Sequence, residues 1–244
     1  MRYLINLYIL LLSLSSLATQ NCEHTELGIR SNSDLVVCRE GYAIGYSFKE
    51  KSAEWVAYKL RKQVGRGVDR TNDFRADPEV PSKFQTTPED YAEPIYNQGH
   101  LASSESIDTS YKVMSETFYM SNIVPQLPIH NTGIWKGLEN RERKWANKDD
   151  LVYIVTGPLY EGFIDTIGKN KVQVPSHFWK VIYDPRNQRV IAYLIDHKPL
   201  YTKDLDNYLV SVDEIEKRTG IDFFYKLDNE IENKIERKAQ SEQW

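Results

Sequence analysis

Three polar residues stand in types and spacing that could do hydrolytic chemistry. His100 lies in Asn97-Gln98-Gly99-His100-Leu101-Ala102, and Asn131 and Glu139 lie in Asn131-x3-Trp135-x2-Leu138-Glu139-x-Arg141. An imidazole with an ordinary pKa of about 6.5 accepts a proton from water at neutral pH. Amide and carboxylate oxygens suit hard divalent cations. On one straight α-helix, Asn131 and Glu139 would sit about 80° apart around the axis and about 12 Å along it, which suits contact through water better than direct shared ligation. Between these groups runs Ser121-Asn122-Ile123-Val124-Pro125-Gln126. Taken singly, each residue also has an ordinary reading. A lone histidine is commonly structural, Asn131 could be a helix N-cap, and Glu139 and Arg141 could be a solvated helix face.

The elements that must hold these residues are legible in the apolar pattern. Leu35-Val36-Val37, Tyr42–Tyr46 and the alternating Trp55–Leu60 read as strands, the last half-buried. Val152–Thr156 reads as a buried strand that stops at Gly157-Pro158. Phe178–Tyr183 and Val190–Ile195 read as a strand pair joined by the turn-rich Asp184-Pro185-Arg186-Asn187. Residues 65–94 carry Gly, Asp, Asn and four prolines from Pro78 onward, which reads as an irregular surface segment where binding residues tend to sit. Ser103–Phe118 is helix-permissive. Asn131–Asn147 is the best helix, with Trp135, Leu138 and Trp145 on a broad apolar side. The end, from Val212 on, reads as short helices and a charged tail. Strands and helices mix without a βαβ rhythm, and there is no internal repeat, so the fold class is α+β.

The first eighteen residues read differently from the rest. Arg2 precedes a Leu- and Ile-rich stretch to Leu17, and Ser16-Leu17-Ala18 supplies small residues where a signal peptidase cuts. The stretch is too short and polar for a comfortable membrane span, which needs roughly 20 apolar residues. Residues 1–18 are therefore expected to be a secretory signal and 19–244 a single domain, secreted or periplasmic, with no stable membrane association. Cys22 and Cys38, the two cysteines of the chain, suggest one disulfide in an oxidising compartment. They lack the further Cys or His partners that a zinc site needs. The net charge of −4 gives no support for a nucleic-acid partner. It does not exclude one, because a local basic groove and a divalent cation can handle phosphate within an acidic protein.

In combination and order, these motifs resemble the DNA/RNA non-specific endonucleases, a family built around a ββα-metal (His-Me) finger. The likeness rests on Gly99-His100-Leu101, Ser121-Asn122-x-x-Pro125-Gln126 and the Asn131 to Glu139 helix. Thr156-Gly157-Pro158 and Val212-Asp213-Glu214-Ile215-Glu216-x2-Thr219-Gly220-x-Asp222-Phe223-Phe224 add to it, so the similarity runs from about Tyr42 to Glu232. It implies a mixed, mainly antiparallel sheet and a metal-dependent endonuclease acting on DNA and RNA with Mg²⁺ or Mn²⁺. His100 would be the general base and Asn131 the one side chain holding the metal directly. Glu139 would accept hydrogen bonds from metal-bound water, and Asn122 would help order the site. Arg70, in Asp69-Arg70-Thr71-Asn72, would face the phosphate.

The chain departs from the family where Asp-Arg-Gly-His becomes Asn97-Gln98-Gly99-His100. A fixed positive charge is lost, and Gln98 offers a neutral hydrogen-bond donor instead. Altered turnover is the expectation. The alternative reading is a catalytically impaired nuclease-like binding module, and a phosphodiesterase of small esters is a further rival.

Overall fold

A computed structural model describes residues 22–63 and 67–240. The expected secretory signal, residues 1–18, lies outside the described residues. The strands are β1 (Ile29–Arg30), β2 (Leu35–Cys38), β3 (Ala43–Ser47), β4 (Ser52–Arg61), β5 (Asn97–His100), β6 (Ile123–Gln126), β7 (Leu151–Leu159), β8 (Thr166–Ile167), β9 (Val172–Gln173), β10 (His177–Asp184), β11 (Arg189–Asp196), β12 (Leu209–Val210) and β13 (Asp222–Phe223). The helices are α1 (Tyr111–Glu116), α2 (Pro128–His130), α3 (Lys136–Asp149), α4 (Val212–Thr219) and α5 (Asn229–Glu236).

Seven strands form a central sheet in the order β12-β11-β10-β7-β4-β3-β2, with each neighbouring pair antiparallel. The mixed α+β class expected from the sequence is the class observed. Alternation along β4 sends Val56, Tyr58 and Leu60 to one face, against Trp135, Leu138 and Trp145 around α3. Trp55 and Ala57 go to the other face, with Val212 and Ile215 of α4 and Ile235 of α5. The expectation of a half-buried β4 is thereby corrected. Its second row starts with Trp55 and Ala57 under a cover of helices of its own and turns charged only at Lys59 and Arg61. Apolar burial at about 25 cal/mol per Å² thus acts on both faces of the sheet.

Three further segments differ from expectation. β7 does not stop at Gly157-Pro158 but runs to Leu159. Its ladder with β4 ends at Thr156, so the N–H that Pro158 lacks falls beyond that pairing. A side chain at Gly157 would strike the Glu54 carbonyl at 2.2 Å. In Ser103–Phe118 only α1 is helical, entered through Ser110, whose hydroxyl accepts the Val113 N–H at 3.3 Å. The predicted Asn131–Asn147 helix is interrupted at its start, since Asn131–Trp135 forms a π-helical turn between α2 and α3. Cys22 and Cys38 are disulfide-bonded as expected. Among the described residues no helix is long and apolar enough to cross a membrane.

Candidate active site

β5 and β6 pair antiparallel, with Gly99 opposite Val124 and His100 opposite Ile123. The chain then passes through α2 and the π turn into α3, so two strands and a helix form one unit. Gly99 is required there, because a Cβ would lie 2.4 Å from the Gln126 side chain. His100 is held from both sides. Its carbonyl accepts the Trp135 indole N–H at 3.0 Å, and Leu101 N–H donates to the Asn122 carbonyl at 3.0 Å. Its ring packs between Phe74 and Phe118.

Asn122 is fully buried and acts as a clamp. Its Oδ1 accepts the Ala102 N–H at 2.9 Å, while its Nδ2 donates to the carbonyls of Ala102 at 3.0 Å and Thr117 at 2.8 Å. It fixes the chain just after His100 and does not line the pocket described below. The His100 ring is 8% exposed as a residue, and its Nε2 has no hydrogen-bond partner. Burial, with Arg70 adding to it, pushes its pKa down to about 3, so the imidazole is neutral at physiological pH.

The helical side of the site is shaped by a distant loop. Ile134 N–H donates to the Leu200 carbonyl at 3.0 Å instead of within the helix. That same carbonyl would lie 2.4 Å from a Cβ at position 133, where the sequence has glycine. Such π turns widen a helix by one residue and often mark functional sites. Asn131 has φ −60° and ψ −50° and lies inside the helical run, so it is not an N-cap. The straight-helix projection of Asn131 onto Glu139 also lapses, because the π turn advances less per residue. Even so, both reach one pocket.

That pocket, of about 190 Å³, is lined by Arg70, Gln98, His100, Ser103, Ser104, Glu105, Asn131, Thr132, Lys136 and Glu139. Five of the six side chains expected from the sequence therefore meet there, and Asn122 supports it from behind. A second hollow of about 360 Å³, which also includes Asn97, shares Gln98 and Asn131 with it. Larger hollows along α5 and around Lys59, of about 740 and 600 Å³, share no lining residue with the pocket, so chemistry and not size singles it out. Arg70 donates to Ser104 Oγ at 2.8 Å and Asn72 Oδ1 at 2.6 Å, with its guanidinium 4.8 Å from the Phe118 ring centroid. Lys136 is a further cation in the wall that sequence reasoning missed. Its place three residues before Glu139 was the available signal, since that spacing puts both on one helix face.

The donor set fits a hard cation. Among the described residues, neither the Asn131 side-chain amide nor the Glu139 carboxylate enters a hydrogen bond or ion pair, although both line the pocket. Burial raises the Glu139 pKa to about 7, with Lys180 opposing it. One turn along the helix, Glu142 is engaged on all sides. It accepts Tyr58 Oη–H and Ser106 Oγ–H, each at 2.9 Å, and pairs with Lys180 Nζ at 2.7 Å, with both charged side chains fully buried. Lys180 also lies 4.7 Å from the Trp135 ring centroid.

Residues 21–230 match the model of the DNA/RNA non-specific endonuclease family. The chain is 35% identical to nuclease C1 of Cunninghamella echinulata var. echinulata over 208 residues, covering 78% of this chain and 82% of that protein. It is 32% identical to a nuclease of Serratia marcescens (85% and 81% covered) and 33% identical to human mitochondrial endonuclease G (76% and 68%). A chain in the crystal structure of the EndoG/EndoGI complex superposes with a TM-score of 0.79 at 26% identity, covering 84% of this chain and 91% of that one. The fold is that of the ββα-metal nucleases, and this chain is an enzyme of the DNA/RNA non-specific endonuclease family.

Proposed function

We propose that the protein is an exported endonuclease that hydrolyses phosphodiester bonds in DNA and RNA with Mg²⁺ or Mn²⁺, using His100 as general base. The observation that carries this reading is the shared pocket of His100, Asn131 and Glu139. Asn131 would hold the cation directly and Glu139 would accept hydrogen bonds from its hydration shell; when bound, the cation neutralises the phosphate and the leaving alkoxide.

The remaining work falls to the chain's own residues. Neutral His100 takes a proton from the attacking water. An anionic phosphate beside the ring favours the imidazolium, so substrate itself raises the basicity of this desolvated histidine. Asn122 keeps the ring in place by clamping the following residue. The lost arginine at position 98 has partial replacements in the same wall, where Arg70 and Lys136 present positive charge to phosphate and Gln98 adds neutral donors. Contacts to phosphate carry no base information, which suits a nuclease without sequence preference. Export is supported by the apolar start of the chain and by the Cys22–Cys38 disulfide.

Plasmid and RNA degradation with Mg²⁺ or Mn²⁺ tests the reading. The wild type should cut and lose activity on chelation, and the turnover of His100→Ala per folded molecule should fall roughly 10²–10⁴-fold. Equal inertness of wild type and His100→Ala across divalent metals would overturn it and favour the impaired binding module.

A further inference from the structure

The sheet face opposite α3 carries a second group of acids that the nuclease reading leaves unused. Asp213 and Glu216 lie on α4 and Glu236 is the last residue of α5. One carboxylate oxygen from each lies within 4.8 Å of the others. Glu236 is 6% exposed, and its Oε1 has no hydrogen-bond partner. Glu216 spends one oxygen on the Phe223 N–H at 2.7 Å. Asp222 and Glu232 add further negative charge to the cluster. Among the described residues no cation pairs with the three acids, and Arg30 is taken up by Asp222 at 2.6 Å.

Carboxylates do not gather this way without a counter-charge at little cost. Burial and mutual repulsion push the Glu236 pKa up to about 9 and that of Glu216 to about 7. Glu236 also sits at the negative end of its helix, where an acid is disfavoured. Both features would reverse sign with a divalent cation among the oxygens.

We propose that Asp213, Glu216 and Glu236 form a calcium site that pins α5 to α4. The cluster has only oxygen donors, which selects a hard cation. Carboxylates on two separate helices suit calcium, which accepts six to eight oxygens in flexible geometry, better than magnesium, which demands a near-ideal octahedron. Asp213 is exposed, which leaves room for water to complete the coordination. Three carboxylates on two short helices suit the weak class of extracellular calcium sites, with Kd of about 10⁻⁴–10⁻³ M.

The test uses the full chain, chelator-treated, in an Asn131→Ala background that weakens cation binding in the nuclease pocket. Calcium chloride is titrated by calorimetry and by thermal melting at neutral pH. The Asn131→Ala protein should bind calcium in the millimolar range, and its Tm should rise by roughly 5 °C at saturation. Adding Glu236→Gln should remove one equivalent of calcium and most of the Tm rise. Asp213→Asn, a near-isosteric change at an exposed position, should weaken binding at least several-fold. The proposal fails if the parent shows no calcium response, or if both variants respond as the parent does. It fails equally if Glu236→Gln raises Tm without calcium while the parent ignores the ion, because the acids would then be a proton-sharing pair.

Discussion

Two glutamates one helical turn apart on α3 do opposite work. Glu142 points beneath the helix toward the sheet, where Tyr58, Ser106 and Lys180 satisfy it. Glu139 opens onto the pocket, is engaged by none of the described residues, and carries a pKa raised to about 7. The first is a closed network that locks α3 to β4 and β10. The second is an acid kept in waiting, eased by the charges of Lys180 and Arg143 but bound by none of the described residues. A buried charge with its partners in place holds structure together. One without them points to something the chain must bind.

The sharpest way to break this comparison is to remove Glu142. Glu142→Ala strands the Lys180 ammonium in a dry interior and should cost about 3–5 kcal/mol, read as a Tm lower by roughly 10 °C. Activity per folded molecule, measured well below the melting range, should stay near wild type. A loss of turnover larger than the loss of folded protein would show that Glu142 is not merely structural.

Glu139→Gln should behave in the converse way. Turnover on plasmid DNA should drop roughly 10–100-fold, as for other groups that orient a metal's hydration shell. The melting temperature without metal should hold or rise, since the substitution removes a desolvated acid. Unchanged turnover would remove Glu139 from the site.

The smallest effect concerns the acids on the opposite face. The Glu236 pKa of about 9 in the folded state lies above the ordinary value of 4.5, so the native protein holds a proton that the unfolded chain has released. Asp213, Glu216, Asp222 and Glu232 face it, and Arg30 stands beside Asp222. Stability from this group is fully present below pH 4.5 and is lost as pH rises toward 9. In chelator, Tm should therefore decline across that window, and Glu236→Gln should flatten the decline. An equally steep decline in the variant would assign it to other groups.

Much of the lining of the candidate site was legible before the fold. His100, Asn131, Glu139, Gln98 and Arg70 meet in one pocket although they span seventy positions of chain. Asn122 was legible as an ordering residue, but not as the clamp on Ala102 and Thr117. Lys136 and the Glu142–Lys180 pair were not seen, since a charged residue on a helix shows no sign of which way it faces until the helix is docked. The π turn at Asn131 was equally hidden, because its cause is the Leu200 carbonyl, nearly seventy residues away.

What the sequence by itself determined here is local. Alternating Val, Ile, Tyr and Trp made the strands, turn residues at 184–187 made the β10–β11 hairpin, and the ordered motifs disclosed the nuclease family. Tertiary structure alone decided which faces of the sheet were covered, which glutamate was paired and which left open, and that Glu236 would close on Asp213 and Glu216. Periodicity and backbone preference act over a few residues. Whether a carboxylate meets a lysine, another acid or a cavity depends on how separate elements pack, and that is settled only when the chain is folded.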